Sequence, residues 1–197
     1  MSRIEGLRQS GKESEMSKSA FGNLLILAFG NLVGGAVAWT EAPVWKQPAR
    51  VSYEDPSLKN KSLAMDGKFF SSIELTQLTE ALAKEMFSNF GILGIAAPQM
   101  GVDLRIFLLR SSSFNFFSRS YKVFINPLMS PVGDSASSNL EFCLSTRGFH
   151  WTKRFKTIQL EFNKVDGARE VIELTGWRAR VVQHEIDHLD GKLISEE

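Results

Sequence analysis

The chain has 197 residues, enough for one domain with a proper core and too few for two generous ones. Its formal net charge of +1 offers no bulk argument for nucleic-acid binding. A single cysteine, Cys143, excludes an internal disulfide framework and leaves three roles: buried small hydrophobe, free thiol or ligand.

Residues 1–47 differ in composition from the rest. Positions 1–17 are polar and mixed in charge, the profile of a disordered leader. Positions 21–39 then carry no charge and are rich in Leu, Ala, Gly and Val. If translation began at Met16, then Lys18, this run and Ala36-Val37-Ala38 would read as a secretory signal with a small-x-small cleavage site. The run is also just long enough to span a bilayer. Asn23, Asn31 and the glycines weaken both readings and leave a helix folded against the domain as the competitor. A membrane-directed segment stands slightly ahead of it. Glu5, Glu13 and Glu15 spoil a mitochondrial presequence. The catalytic domain is expected over residues 48–197.

Within that domain, 49–53 reads as a short strand before the turn residues Glu54-Asp55-Pro56. Ser71-Ser72-Ile73-Glu74 predicts a capping box in which Ser71 and Glu74 satisfy the first amides of a helix reaching about Phe90. Leu75, Leu78, Leu82 and Met86 form its apolar stripe. The stretch 92–99 is too rich in small residues to be a packed strand. Strands are expected at 104–109, 122–125, 157–162 and 170–174, with Asp166-Gly167 turning the last two into a hairpin. Segments 111–120 and 131–139 read as surface loops. A last helix opens near Thr175 and carries Trp177, Val181, His184 and His188 down one side. Strands in hairpin order with one long helix at each end predict an α+β domain, its antiparallel sheets and hairpins packed around the C-terminal helix.

His184-Glu185-Ile186-Asp187-His188 lies on that helix. Residues four apart share a face, so both imidazoles can grip one metal ion while Glu185 points towards a water on it. Peptidases use the same pentapeptide, so it does not name the reaction. Their third ligand lies downstream, as a glutamate or a histidine. Here the position for that histidine holds Ile194, and Glu196 and Glu197 have little room to fold back. The donor must come from upstream, and the obvious soft one is Cys143 in Glu141-Phe142-Cys143-Leu144-Ser145.

Three segments occur in order: Gly94-Ile95-Ala96-Ala97-Pro98-Gln99, Glu141-Phe142-Cys143-Leu144-Ser145 and Gln183-His184-Glu185-Ile186-Asp187-His188-Leu189-Asp190-Gly191. Together they resemble the peptide deformylases, from about Arg50 to Gly191. Gly176-Trp177-Arg178-Ala179-Arg180 is similar to the version in type 1 enzymes, organellar ones included.

The resemblance implies one divalent metal ion held by Cys143, His184, His188 and a water. Fe2+ is favoured, and Zn2+, Ni2+ or Co2+ also suit the ligand set. It implies Glu185 as general base and then acid. The Gln99 side-chain amide and the Leu144 backbone N–H become donors to the tetrahedral oxyanion. Gly94 would let the backbone run close to the substrate, and Leu93, Trp177 and Val181 are candidate walls for the methionine side chain.

The implied function is removal of the formyl group from N-formylmethionyl nascent chains near the ribosome exit. A cytoplasmic or organellar monomer is expected, with membrane anchoring or export through 21–39 as the competing placement. Two alternatives stand beside it, a catalytically weak formyl-peptide binding protein and a metallopeptidase. The chain departs from the family at Phe142, where glycine is usual, and at Ile92 and Arg147. Phe142 is expected to crowd the groove. Arg154 is expected to pair with Glu141 structurally, and His150 reads as structural or rim.

Overall fold

A computed structural model describes residues 48–112 and 119–194. The leader, signal and anchor readings of residues 1–47 fall outside the described residues, as does much of the expected loop at 111–120. Helix α1 (Ile73–Ser88) comes first, followed by β1 (Gly94–Ala96), β2 (Ile106–Arg110) and β3 (Tyr121–Pro131). Next come β4 (Ala136–Phe142), β5 (Phe149–Phe155), β6 (Thr157–Asn163) and β7 (Arg169–Thr175), and α2 (Gly176–Leu189) closes the order. An antiparallel sheet runs β1-β2-β3-β6-β7, and β4 and β5 form a separate two-stranded hairpin. The α+β class is as expected.

Burial on both faces of β2 explains the layers. All five of its residues are buried, and the period of two sends Ile106 and Leu108 one way, Phe107 and Leu109 the other. The α1 stripe of Leu75, Leu78, Leu82 and Met86 covers the first face and is at most 1% exposed. On the second face, Ala179, Val182, Ile186 and Leu189 of α2 pack against Phe124, Ile158, Leu160 and Phe162. Burying each large side chain stabilises the fold by roughly 1.5–3 kcal/mol. The sheet thereby becomes a rigid floor for α2, the helix that carries both histidines.

Several elements differ from expectation. Ser72, not Ser71, caps α1, its side chain accepting from the Leu75 amide at 3.1 Å. Ser71 sits one residue earlier at φ 58°, and its amide donates to the Val165 carbonyl at 2.8 Å, a long-range bond that shifts the cap. The helix ends at Ser88, where the Asn89 side chain turns back onto the Glu85 carbonyl at 2.8 Å. Segment 49–53 is no strand: its Ala49 and Val51 amides donate to the carbonyls of Met100 and Gln99.

Gly94–Ala96 does form a strand, because its small side chains admit α2 closely and Ala96 is fully buried there. β3 runs far past 125, through a register shift at which Asn126 adopts φ 49° and its side chain bonds both ways with the Met65 backbone. The hairpin β4–β5 falls partly where a loop was expected. No helix among the described residues is long and apolar enough to cross a membrane.

Candidate active site

The fourteen residues of α2 place His184 and His188 one turn apart, with ring centroids at 5.1 Å. Cys143 follows β4 directly, so its position depends on how the hairpin docks on the helix. Gln183 makes that joint, accepting from the Phe155 amide and donating to the Phe155 carbonyl, both at 2.9 Å. Cys143 Sγ then lies 3.1 Å from His188 Nε2. One donor atom each from Cys143, His184 and His188 lie within 4.8 Å of one another. That separation suits tetrahedral bonds of about 2.0–2.3 Å to sulfur and nitrogen.

Behind these three residues stands a buried charged network. Glu141 Oε2 meets His184 Nδ1 at 3.0 Å, which leaves the other ring nitrogen of His184 for a cation. Arg154 grips Glu141 through Nε at 3.2 Å and Nη2 at 3.1 Å, and Arg180 adds a contact at 2.7 Å. Arg154 also pairs with Asp187. Burial raises the Glu141 carboxyl, but hydrogen bonds from His184 and Arg154 outweigh it and hold the group at about 2. The pairing of Arg154 with Glu141 was expected; its extension to His184, Arg180 and Asp187 was not. Charged residues one turn before His184 and three residues after it, on a helix face that has to be buried, were the available signal.

Glu185 is 3% exposed, and its Oε2 is buried without a hydrogen-bond partner. Burial pushes its carboxyl up to about 7, with the neighbouring His184 pulling the other way. Gly94 is tied to this group: a Cβ there would lie 2.5 Å from Glu185 Oε1 and 2.9 Å from its Cδ. The expectation that Gly94 clears the way for substrate is thus joined by a second constraint from the carboxylate itself. Gln99 is fixed by accepting from the Ala96 amide at 2.9 Å, and its Nε2 donates to Ser145 Oγ at 3.0 Å and faces Cys143 Sγ at 3.6 Å. Ser145, which the sequence reading passed over as a site residue, also donates its amide to that sulfur at 3.3 Å.

A cleft of about 300 Å³ opens over these groups. Leu93, Gly94, Gln99, Cys143, Leu144, Trp177, Val181, His184 and Glu185 all line it, while His188 lies behind Cys143. Phe142 stands on its lip, 47% exposed, its ring 5.5 Å from that of Phe149 across the hairpin. The ring is thus part of the apolar wall of the cleft, where a bulky side chain bears on the groove. His150 pairs with Glu141 across the hairpin, with Nε2 2.8 Å from the Arg147 carbonyl.

The residues present fit a divalent cation. His188 is held well below its ordinary range by burial and then by the neighbouring His184, so it is neutral and can ligate. Burial lowers His184, but contacts with Cys143 and Glu141 raise it to about 10. The negative field that this shift reports is one that a cation neutralises.

Fold and site together define a class of protein, the α+β proteins in which a His-Glu-x-x-His helix meets a cysteine so that the three donors could hold a metal ion. The family profile for polypeptide deformylase matches residues 50–197. Peptide deformylase 3 of Streptomyces avermitilis is 33% identical over 153 residues, covering 73% of this chain and 67% of that protein. The peptide deformylase of Thermus thermophilus is 33% identical over 156 residues, covering 73% and 78%. Peptide deformylase 1A, chloroplastic/mitochondrial, of Arabidopsis thaliana is 30% identical over 161 residues, and the match spans 74% of this chain and 59% of that protein. Among solved structures, the Met-Ala-Ser-bound class I type b peptide deformylase of Acinetobacter baumannii superposes with a TM-score of 0.69 at 25% identity, over 76% of this chain and 98% of that one.

The chain belongs to the polypeptide deformylase family and carries its activity, hydrolysis of an N-terminal formyl amide. Neither the binding-only reading nor the metallopeptidase reading finds support in these relatives.

Proposed function

We propose that Cys143, His184 and His188 hold one divalent cation, and that Glu185 moves the proton in deformylation of N-formylmethionyl chains as they are made. The observation that carries this reading is the convergence of the three donor atoms within 4.8 Å beside a buried, half-unpaired carboxylate on an open cleft. A bound cation supplies Lewis acidity, polarising the formyl carbonyl and acidifying water. The chain's own residues do the rest.

Glu185 takes a proton from the attacking water, whose oxygen bonds to the formyl carbon. As the carbon–nitrogen bond breaks, Glu185 returns that proton to the leaving amine, and formate departs. A carboxyl near neutrality suits both transfers, and a cation beside it lowers it towards the base form. Gln99 Nε2 and the Leu144 backbone N–H donate to the oxyanion, a role worth about 2.7–4 kcal/mol per donor in comparable sites. Leu93, Trp177 and Val181 receive the methionine side chain.

Fe2+ is the ion we assign, although the donor set also accepts Zn2+, Ni2+ and Co2+. The protein works as a monomer close to emerging chains, in the cytoplasm or an organelle. Residues 1–47 form a leader ahead of the catalytic domain, and 21–39 is the segment able to meet a membrane.

The test is anaerobic purification, metal analysis and an assay of formate release from formyl-Met-Ala-Ser. One metal per chain and formate release are expected; metal-loaded protein that releases none would overturn the reading. Glu185→Gln should keep the metal and lose about 10²–10⁴-fold in turnover. Near-wild-type turnover in that variant would remove Glu185 as proton carrier.

A further inference from the structure

The β4–β5 hairpin is built inside out. Its period of two places Glu141, Thr152 and Arg154 on the inner side, all buried, where Glu141 and Arg154 support His184. The outer side carries Leu140, Phe142, Phe149 and Trp151, joined as the cross-strand pairs Leu140↔Trp151 and Phe142↔Phe149. Their exposures are 48%, 47%, 69% and 70%.

A water-facing side of an antiparallel pair is ordinarily polar, and a contiguous apolar set of this kind marks a binding surface. Among the described residues, packing does not account for it, since the inner side of the hairpin already meets α2 through Gln183 and the charged network. Leu140, Phe142 and Phe149 also line the cleft over Cys143 and Glu185, so the outer face continues the substrate site. Trp151 lies two residues beyond Phe149 along β5, about 7 Å farther out. The next pair, Ser138 and Lys153, ends the apolar run.

We propose that this face binds the stretch of new chain behind the formylated end, and that it favours large apolar residues at about the fourth to sixth positions. An extended chain leaving the cleft advances about 3.3 Å per residue, so the Trp151 pair meets residues beyond the first three. The preferred substrates are formylated chains with apolar N-terminal stretches. This inference rests on the deformylase reading of the cleft.

The test compares formyl-Met-Ala-Ser-Leu-Phe-Leu-Lys, formyl-Met-Ala-Ser-Ser-Gln-Ser-Lys and formyl-Met-Ala-Ser on the metal-loaded full chain. KM should be about tenfold lower for the apolar heptapeptide than for the polar one, about 1.4 kcal/mol, with kcat alike. Trp151→Ser should close that gap and leave the tripeptide kinetics unchanged. Equal KM values, or a gap that survives Trp151→Ser, overturn the proposal.

Calorimetric titration of both heptapeptides into the Glu185→Gln protein reads the same gap without turnover. Failure of the deformylase reading, seen as no formate from any peptide, is thereby separated from failure of this one. Trp151-dependent binding to vesicles of phosphatidylglycerol and phosphatidylethanolamine, or Trp151-dependent self-association in sedimentation, with no peptide preference, would assign the face to a membrane or a second copy and overturn it equally.

Discussion

Gly94 and Glu185 act as one unit although ninety-one positions separate them in the numbering. The carboxylate occupies the space a side chain at Gly94 would need, with Oε1 2.5 Å from the missing Cβ position. Gly94→Ala therefore has to displace Glu185, the proposed proton carrier, since the strand β1 backbone is pinned by its pairing with β2. Misplacing a catalytic group by about 1 Å can cost 10²-fold. We expect that order of loss in kcat for formyl-Met-Ala-Ser, with metal content unchanged. Unaltered kcat would show that Glu185 finds an equally good position elsewhere. The sequence marked the same glycine, but for the substrate's sake; the constraint from Glu185 appears only once β1 lies against α2.

At the scale of elements, the hairpin and α2 are one device and α1 is another. Glu141 links them electrostatically, taking contacts from Arg154, Arg180 and His184 in a buried setting. Glu141→Gln leaves the partly buried Arg180 without its carboxylate, the buried Arg154 with Asp187 alone, and His184 without a charged partner. Metal affinity should fall about 10–100-fold, and stability by about 3–5 kcal/mol, read by competition with a chelator and by denaturant unfolding. If both stay at wild-type values, the network orients nothing. Leu82 on α1 packs on the opposite face of the sheet, at 0% exposure. Leu82→Ala should cost about 2–5 kcal/mol in denaturant unfolding, yet leave kcat for the folded enzyme unchanged. A proportional fall in kcat would mean that the sheet transmits core packing to the site.

For the whole molecule, the proposed cation site would tie the end of β4 to α2, segments forty-one or more positions apart in the chain. A ligand that binds only the folded state stabilises it by mass action, about 2.7 kcal/mol at one hundred times its Kd. Chelation should therefore lower the Tm as well as abolish formate release, and Fe2+ added back under anaerobic conditions should restore both. A Tm insensitive to chelator and to added Fe2+ would indicate that the three donors bind no ion in the folded protein.

The sequence by itself marked the candidate ligands and base: His184, Glu185 and His188 through a short pattern of fixed period on one helix, and Cys143 as the soft upstream donor that the deformylase resemblance implies. His184 and His188 four apart, Glu185 between them and Cys143 upstream required no knowledge of tertiary contacts. The buried stripe of α1 was legible for the same reason. Only the tertiary structure decided where α1 is capped, since the Ser71 amide is claimed by the distant Val165 carbonyl. It also decided that 136–142 is a strand: its apolar residues face outward and its charged ones inward, so the usual link between polarity and exposure is reversed there. The Glu141–His184 contact, the joint made by Gln183 and the fit of Gly94 against Glu185 are likewise contacts between segments distant in sequence. Local periodicity holds no information about such pairs; they are set by how the hairpin and α2 meet over the sheet.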